Sequence, residues 1–173
     1  MRFLILVFLC LASLSSWSSE LSPDEELSLV ELVKSVMTKY ESGDFDALAQ
    51  VTFEPLVAAA GGLSPFKLKL KQAADQYRQN GLVMESMTVG KPTSLTTAGE
   101  YELSFVPKIT TIRMPGRHGR STNVMVAVRK VGATEWRMID GAGLRKNLEI
   151  LRYFFPSLPA NLQLPENKLE LLP

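Results

Sequence analysis

Cysteine is almost absent from this chain, since Cys10 is the only one among 173 residues. Cys10 lies in an apolar N-terminal stretch that we expect to be removed. The predicted mature protein then has no disulfide, no thiol nucleophile and no thiolate metal site. Histidine is as scarce: His118 stands alone, without HxH or HExxH spacing. We therefore expect no metal and no other cofactor.

An excess of one charge is also missing, because 19 basic residues face 18 acidic ones. Without a basic stripe the chain lacks the electrostatic footprint of nucleic-acid binding. After the N-terminal stretch no apolar run approaches the roughly 20 residues of a membrane helix, so no membrane span is expected. The composition, 46% hydrophobic and 21% charged, indicates one ordinary globular domain.

Residues 1–18 are predicted to be a signal peptide. Arg2 supplies the positive charge, the apolar core follows from Phe3 to Leu14, and Ser16 and Ser18 place small residues before a cut at Ser19. Cys10 lies inside that core, so no lipid anchor is expected. We predict a protein that is exported, periplasmic or secreted.

The first part of the mature chain predicts three helices. Ser22 and Pro23 form a helix start, followed by apolar residues at three- and four-residue spacing up to Tyr40. Asp44 caps a second helix through Val51. After a short apolar turn ending at Gly61 and Gly62, a third helix is predicted over 65–80, closed by Asn80 and Gly81.

Beyond Gly81 the hydrophobic period changes to two, which is typical of strands. Strands are predicted at 82–90, 100–114, 122–131 and 134–140. The connections 91–99, 115–121 and 132–133 are short, which favours antiparallel neighbours. A short helix over 144–154 and an extended proline-rich tail over 156–173 follow. The predicted fold class is α+β, with N-terminal helices on a curved four-stranded antiparallel sheet in one domain over 19–155.

Several local motifs resemble NTF2-like domains, the cone-shaped α+β superfamily that includes ketosteroid-isomerase-like and SnoaL-like proteins. The helix running into Gly43-Asp44-Phe45 resembles the start of that fold, and the stretch 135–141 resembles its closing strand. A group of secreted bacterial NTF2-like proteins of unassigned function is similar at 55–57, 61–62, 89–92, 136–143, 155–159 and 162–165. The resemblance implies a fold. It does not imply one function, because the superfamily mixes enzymes, binding proteins and assembly modules.

Weak catalytic candidates follow from the isomerases of this superfamily, which use an aspartate base with a tyrosine and a second acid. The chain offers Asp140, Tyr101 and Glu85 for these roles. Asp140 has a simpler interpretation beside residues 141–143, where its side chain would cap the turn into the last helix.

Two further groups of residues are candidate binding sites. An apolar pocket between sheet and helices would be lined by Tyr40, Met84, Tyr101, Phe105, Trp136 and Met138. The same residues also suit a closed core, in which we expect Trp136 to be buried against the helices. A loop at the predicted hairpin tip gathers Arg113, Arg117, His118 and Arg120, which would meet an anion or a partner, or serve solubility alone.

Three functional hypotheses remain open. The first is a non-enzymatic NTF2-like domain that binds a small apolar ligand or a protein partner. The second is a cofactor-free isomerase or lyase that uses a pocket carboxylate. The third is an inhibitor or immunity-type protein. The sequence does not decide the oligomeric state, and a dimer is compatible with it.

Overall fold

The computed structural model describes residues 19–143, 148–165 and 167–172. The predicted signal peptide lies outside these ranges, as do the first four residues of the helix predicted over 144–154.

Five α-helices lie in the described ranges, and a short 3₁₀ helix covers Gly141–Gly143. The α-helices are α1 (Pro23–Ser42), α2 (Phe45–Val51), α3 (Glu54–Ala59), α4 (Leu63–Gln79) and α5 (Leu148–Phe154). The Ser22 hydroxyl accepts from the Glu25 amide, and the Glu25 carboxylate accepts from the Ser22 amide at 2.9 Å, so α1 begins with a capping box. The Asp44 carboxylate accepts from the Ala47 amide at 3.0 Å and caps α2. Both predicted helix starts are confirmed, whereas α4 begins two residues before the predicted position.

The described residues form an open antiparallel sheet of six strands. These are β1 (Val83–Val89), β2 (Thr96–Ala98), β3 (Tyr101–Met114), β4 (Arg117–Lys130), β5 (Arg137–Asp140) and β6 (Lys168–Leu172). The prediction of four strands was wrong because β2 and β6 were missed. β5 is also shorter than the strand predicted over 134–140.

The two long strands form the centre of the sheet. β3 pairs with β1 and β2 on one side and with β4 on the other, and β4 also pairs with β5 and β6. A proline, Pro107, is tolerated in this central position because it faces the gap between β1 and β2. At that gap its carbonyl accepts from the Gly90 amide at 2.7 Å.

The sheet has two covered faces. On the helix face, Val106, Met125 and Met138 pack against α1 through buried residues such as Leu29 and Val33. The opposite face, which we call the aromatic face, packs against Phe53, α5 and the segment after α5. The buried sheet residues on this face are Leu103, Phe105, Val124, Val126, Val128 and Ile139. The alternation of strand side chains assigns neighbouring residues to opposite faces.

None of the helices in the described ranges combines the length and the apolar character that crossing a bilayer requires.

Candidate functional site

The helix face changes from apolar to polar along β3 and β4. Val106 and Met125 are opposite each other in the register, and the next pair on the same face is Lys108 and Asn123. Lys108 is 3% exposed and Asn123 is 7% exposed, although both carry strongly polar groups. Thr110, one step further along β3, is buried as well. A polar row therefore lies beneath the helices.

Within the part of the chain that the structure describes, the Lys108 ammonium group has only weak partners. Nζ lies 3.4 Å from Asp140 Oδ1 and 3.5 Å from the Met37 sulfur. The Asp140 side chain is 58% exposed, so the carboxylate remains in water while its partner does not. Removing an ammonium group from water costs several kcal/mol, about as much as a good ion pair returns. Here one long contact with a hydrated carboxylate returns only part of that cost.

Asn123 is also incompletely satisfied. Its Nδ2 donates to the Ser121 hydroxyl at 3.2 Å, but its buried Oδ1 has no hydrogen-bond partner among the described residues. A buried acceptor without a donor costs about 1–3 kcal/mol. Directly opposite residues of an antiparallel pair have their Cβ atoms about 4.5–5.5 Å apart, so the side chains of Asn123 and Lys108 are neighbours.

Asp140 is held at the rim of this row by the turn after β5. Its Oδ1 accepts from the Ala142 amide at 3.0 Å, which confirms the predicted capping of the turn. The next residue, Gly141, cannot carry a side chain, because a Cβ there would lie 2.2 Å from the Val124 carbonyl oxygen. This close approach fixes the turn on β4, and with it the position of the Asp140 carboxylate.

Tyr40 completes the group from α1. Burial raises the pKa of its hydroxyl, and the negative charge of Asp140 raises it further. Burial also raises the pKa of Tyr77 on α4, and the nearby Tyr40 adds to that shift. We refer to Tyr40, Lys108, Asn123 and Asp140 as the polar cluster. It brings a phenol, an ammonium group, an amide and a carboxylate to one end of the helix face.

The three catalytic candidates from the sequence do not meet. Asp140 belongs to the polar cluster, whereas Tyr101 lies on the aromatic face, with its ring centroid 5.5 Å from those of Phe53 and Phe155. Glu85 sits at an irregularity in β1 and contacts two basic side chains. Its Oε1 is 3.1 Å from Arg113 Nε and 3.4 Å from His118 Nε2. These three residues therefore form no common site.

The six predicted pocket residues do not line one hollow either. Tyr40, Trp136 and Met138 pack in the core of the helix face, while Tyr101 and Phe105 pack in that of the aromatic face. Met84, opposite Ile112 in the register, lies outside both cores. The expected burial of Trp136 is confirmed, since it is 7% exposed beneath the helices.

The basic residues predicted in a loop lie in strands instead. The turn consists only of Pro115 and Gly116, because β4 already begins at Arg117. Arg113 is the last residue but one of β3, and His118 and Arg120 belong to β4. Paired strands thus hold these side chains. Arg113, Arg117 and His118 line an open depression beside Gly81. Among the described residues, no three His, Asp or Glu side chains come together as a metal site.

Sequence reasoning missed Lys108 and Asn123, although a signal was present. Ser104, Val106 and Lys108 are spaced two residues apart along β3. Since side chains alternate between the two faces of a strand, Lys108 lies on the same covered face as the other two. The lysine was overlooked because isolated charges in strands are usually solvated.

Comparison of the chain with protein-family models, with curated proteins and with solved structures finds no match. The resemblance to NTF2-like domains therefore rests on the sequence motifs, and the polar cluster has to be interpreted from its own chemistry.

Proposed function

We propose that this protein is an exported, non-enzymatic domain of the NTF2-like type that binds a small molecule at the polar cluster. The observation that carries the proposal is the pair Lys108 and Asn123, two buried polar groups whose hydrogen-bonding capacity the protein fills only in part. A bound molecule would complete both sets of hydrogen bonds.

Energetics favour a binding role over a structural one. Well-packed apolar residues in place of a buried ion pair are often neutral or stabilising by about 1–4 kcal/mol. A partly satisfied polar network is worse for stability than an apolar core. Residues that weaken the fold in this way are characteristic of functional sites.

The unfilled hydrogen-bonding positions of Lys108 and Asn123 indicate the chemistry of the ligand. Lys108 offers N–H donors, so the ligand presents a carboxylate or carbonyl oxygen to it. Asn123 Oδ1 is an acceptor, so a hydroxyl or N–H group of the same ligand faces it. Further along the helix face, the half-buried Met87 and Ile112 offer contact to an apolar body. The expected ligand is thus a small, largely apolar carboxylate or carbonyl compound with a neighbouring hydrogen-bond donor.

Asp140 occupies the place that the ligand would take. Its exposed carboxylate is the ion partner of Lys108 and also accepts from the Ala142 amide. An incoming carboxylate or carbonyl oxygen would take over Lys108, and Asp140 would keep its backbone contact and its hydration. Binding of a carboxylate therefore leaves Lys108 with a counter-ion in the interior.

Native mass spectrometry of protein isolated from its producing cells tests the proposal. The wild-type protein is expected to retain a small molecule, or to gain thermal stability with small carboxylates. Lys108→Met and Asn123→Leu are expected to abolish both effects, whereas the exposed Lys130→Met serves as the matched control. A wild-type protein without either effect, or a Lys108→Met variant that binds like wild type, would overturn the proposal.

A second candidate function is a cofactor-free isomerase or lyase, because Asp140, Lys108 and Tyr40 bring titratable groups together in the polar cluster. The Asp140→Asn variant separates the two functions. A binding domain retains its ligand after this change. An enzyme that uses the carboxylate as general base loses turnover by about 100-fold or more.

A further inference from the structure

The last strand, β6, leaves an open edge of the sheet. One edge of β6 pairs with β4 from Thr122↔Lys168 to His118↔Leu172. Within the described ranges, no strand pairs with its other edge. An edge of this kind presents unpaired N–H and C=O groups that can accept another strand.

The side chains of β6 divide sharply between the two faces. Leu169 and Leu171 lie on the side of Ser121 and Gly119, which is the helix face, and they are 62% and 57% exposed. Lys168 and Glu170 lie on the other side, 3.1 Å apart. The strand therefore carries two uncovered leucines on one face, and one charge of each sign beside the half-buried Leu172 on the other.

We propose that β6 pairs with β6 of a second copy of this chain, antiparallel about a two-fold axis at Leu169. In this register Lys168 of each copy lies opposite Glu170 of the other, and Leu169 lies opposite its own equivalent. Directly opposite charges of unlike sign stabilise a strand pair, and two opposite leucines cover each other. The interface is isologous, as expected of a two-fold dimer.

Charge complementarity selects this register over its neighbour. A two-fold axis at Glu170 would place two glutamates opposite each other, which is destabilising. With the axis at Leu169, Glu170 lies between Arg120 of β4 and Lys168 of the second copy. The charges then alternate in sign across the junction of the two sheets.

The interface is short, because with the axis at Leu169 only residues 168–170 of β6 lie opposite the same residues of the second copy. Interfaces below about 1,200 Å² belong to weak or transient complexes. We therefore expect a reversible dimer whose population depends on protein concentration.

Sedimentation equilibrium of the protein isolated from its producing cells, over a range of concentrations, tests this dimer. Wild type is expected to dimerise reversibly, and Lys168→Glu and Glu170→Lys are each expected to weaken the dimer by about tenfold or more. Leu169→Asp is expected to have the same effect. Leu27→Asp, which changes a leucine that is 66% exposed on α1, is the control and should dimerise like wild type.

Mixing the two charge-reversal variants separates contacts between chains from the Lys168–Glu170 contact within one chain. In the mixture, both acidic side chains of one variant face both basic side chains of the other, although neither chain has its internal pair. Recovery of a heterodimer supports the proposal. A wild-type protein that is monomeric throughout, a dimer unaffected by the reversals, or a mixture that stays monomeric would each overturn it.

Discussion

The two faces of the sheet differ in how completely their buried groups are satisfied. On the aromatic face, Phe53, Tyr101 and Phe155 meet at centroid distances of 5.2–5.5 Å, two of these three contacts edge to face, around an apolar core. On the helix face, the apolar core gives way to a buried ammonium group and a buried amide oxygen that receives no hydrogen bond from the described residues. We therefore expect the aromatic face to supply most of the stability, and we place the proposed binding site on the helix face.

Two cations on the helix face sharpen this contrast. Arg129 lies 2.6 Å from Glu25 and 2.7 Å from Glu102, and its guanidinium group stacks 4.4 Å from the Trp136 ring centre. Burial alone would lower the pKa of Arg129, but the two carboxylates outweigh it and raise the pKa. Among the described residues, Lys108 has one long contact with a carboxylate, that of Asp140, and one with the Met37 sulfur. Arg129 is thus held firmly by the fold, whereas Lys108 is the residue that we propose to bind the ligand.

The largest effect is expected on the aromatic face. Phe155→Ala should lower the free energy of unfolding by about 3–5 kcal/mol, because it leaves a cavity among rings that cannot close over it. Tyr153→Ala, at a residue 76% exposed on α5, should change it by less than about 0.5 kcal/mol. Chemical denaturation measures the free energy of unfolding of both variants. If Phe155→Ala lost no more stability than Tyr153→Ala, the aromatic face would not be the main source of stability.

Arg129→Met should cost about 3 kcal/mol, because the change leaves the partly buried Glu25 and Glu102 without their shared cation. Arg117→Met on the exposed start of β4 is the matched control and should be nearly neutral. Denaturation at neutral pH gives both values. A neutral Arg129→Met variant would remove the contrast with Lys108.

Acid should weaken the same network through Glu25. Hydrogen bonds from the Ser22 backbone and from Arg129 lower the pKa of Glu25 to about 2. Because unfolded glutamate titrates near pH ~4.3, this stabilisation is complete above about pH 5 and is lost as the pH falls towards 2. The difference in stability between wild type and Glu25→Gln should shrink over that interval. A difference that stays constant would contradict the assignment.

Asp140→Asn is expected to cost only about 1 kcal/mol, because the amide oxygen still accepts from Ala142 while the charge beside Lys108 is lost. Thermal or chemical denaturation measures the change. A loss above about 3 kcal/mol would mean that Lys108 depends on Asp140 for the fold, as a fully buried pair would.

Local signals explain which parts of the fold could be predicted. Ser22 and Asp44 predict helix starts because their caps act within three residues. The long strands β3 and β4 could be recognised because apolar and polar side chains alternate along them. The three-residue β2 and the β6 strand, which follows Pro165, are too short for a periodic signal, and their pairing depends on β3 and β4. The polar cluster joins residues from α1, β3, β4 and β5, so only the folded chain shows that they meet.

Lys108→Met tests the central claim most directly, because it separates stability from binding at one residue. The change removes the cost of burying the ammonium group, and Asp140, 58% exposed, remains hydrated with its Ala142 contact. For protein freed of bound molecules, we predict that the free energy of unfolding stays equal or rises by about 1–2 kcal/mol. A fall of about 2 kcal/mol or more would contradict the account, since Lys108 would then be part of the fold like Arg129.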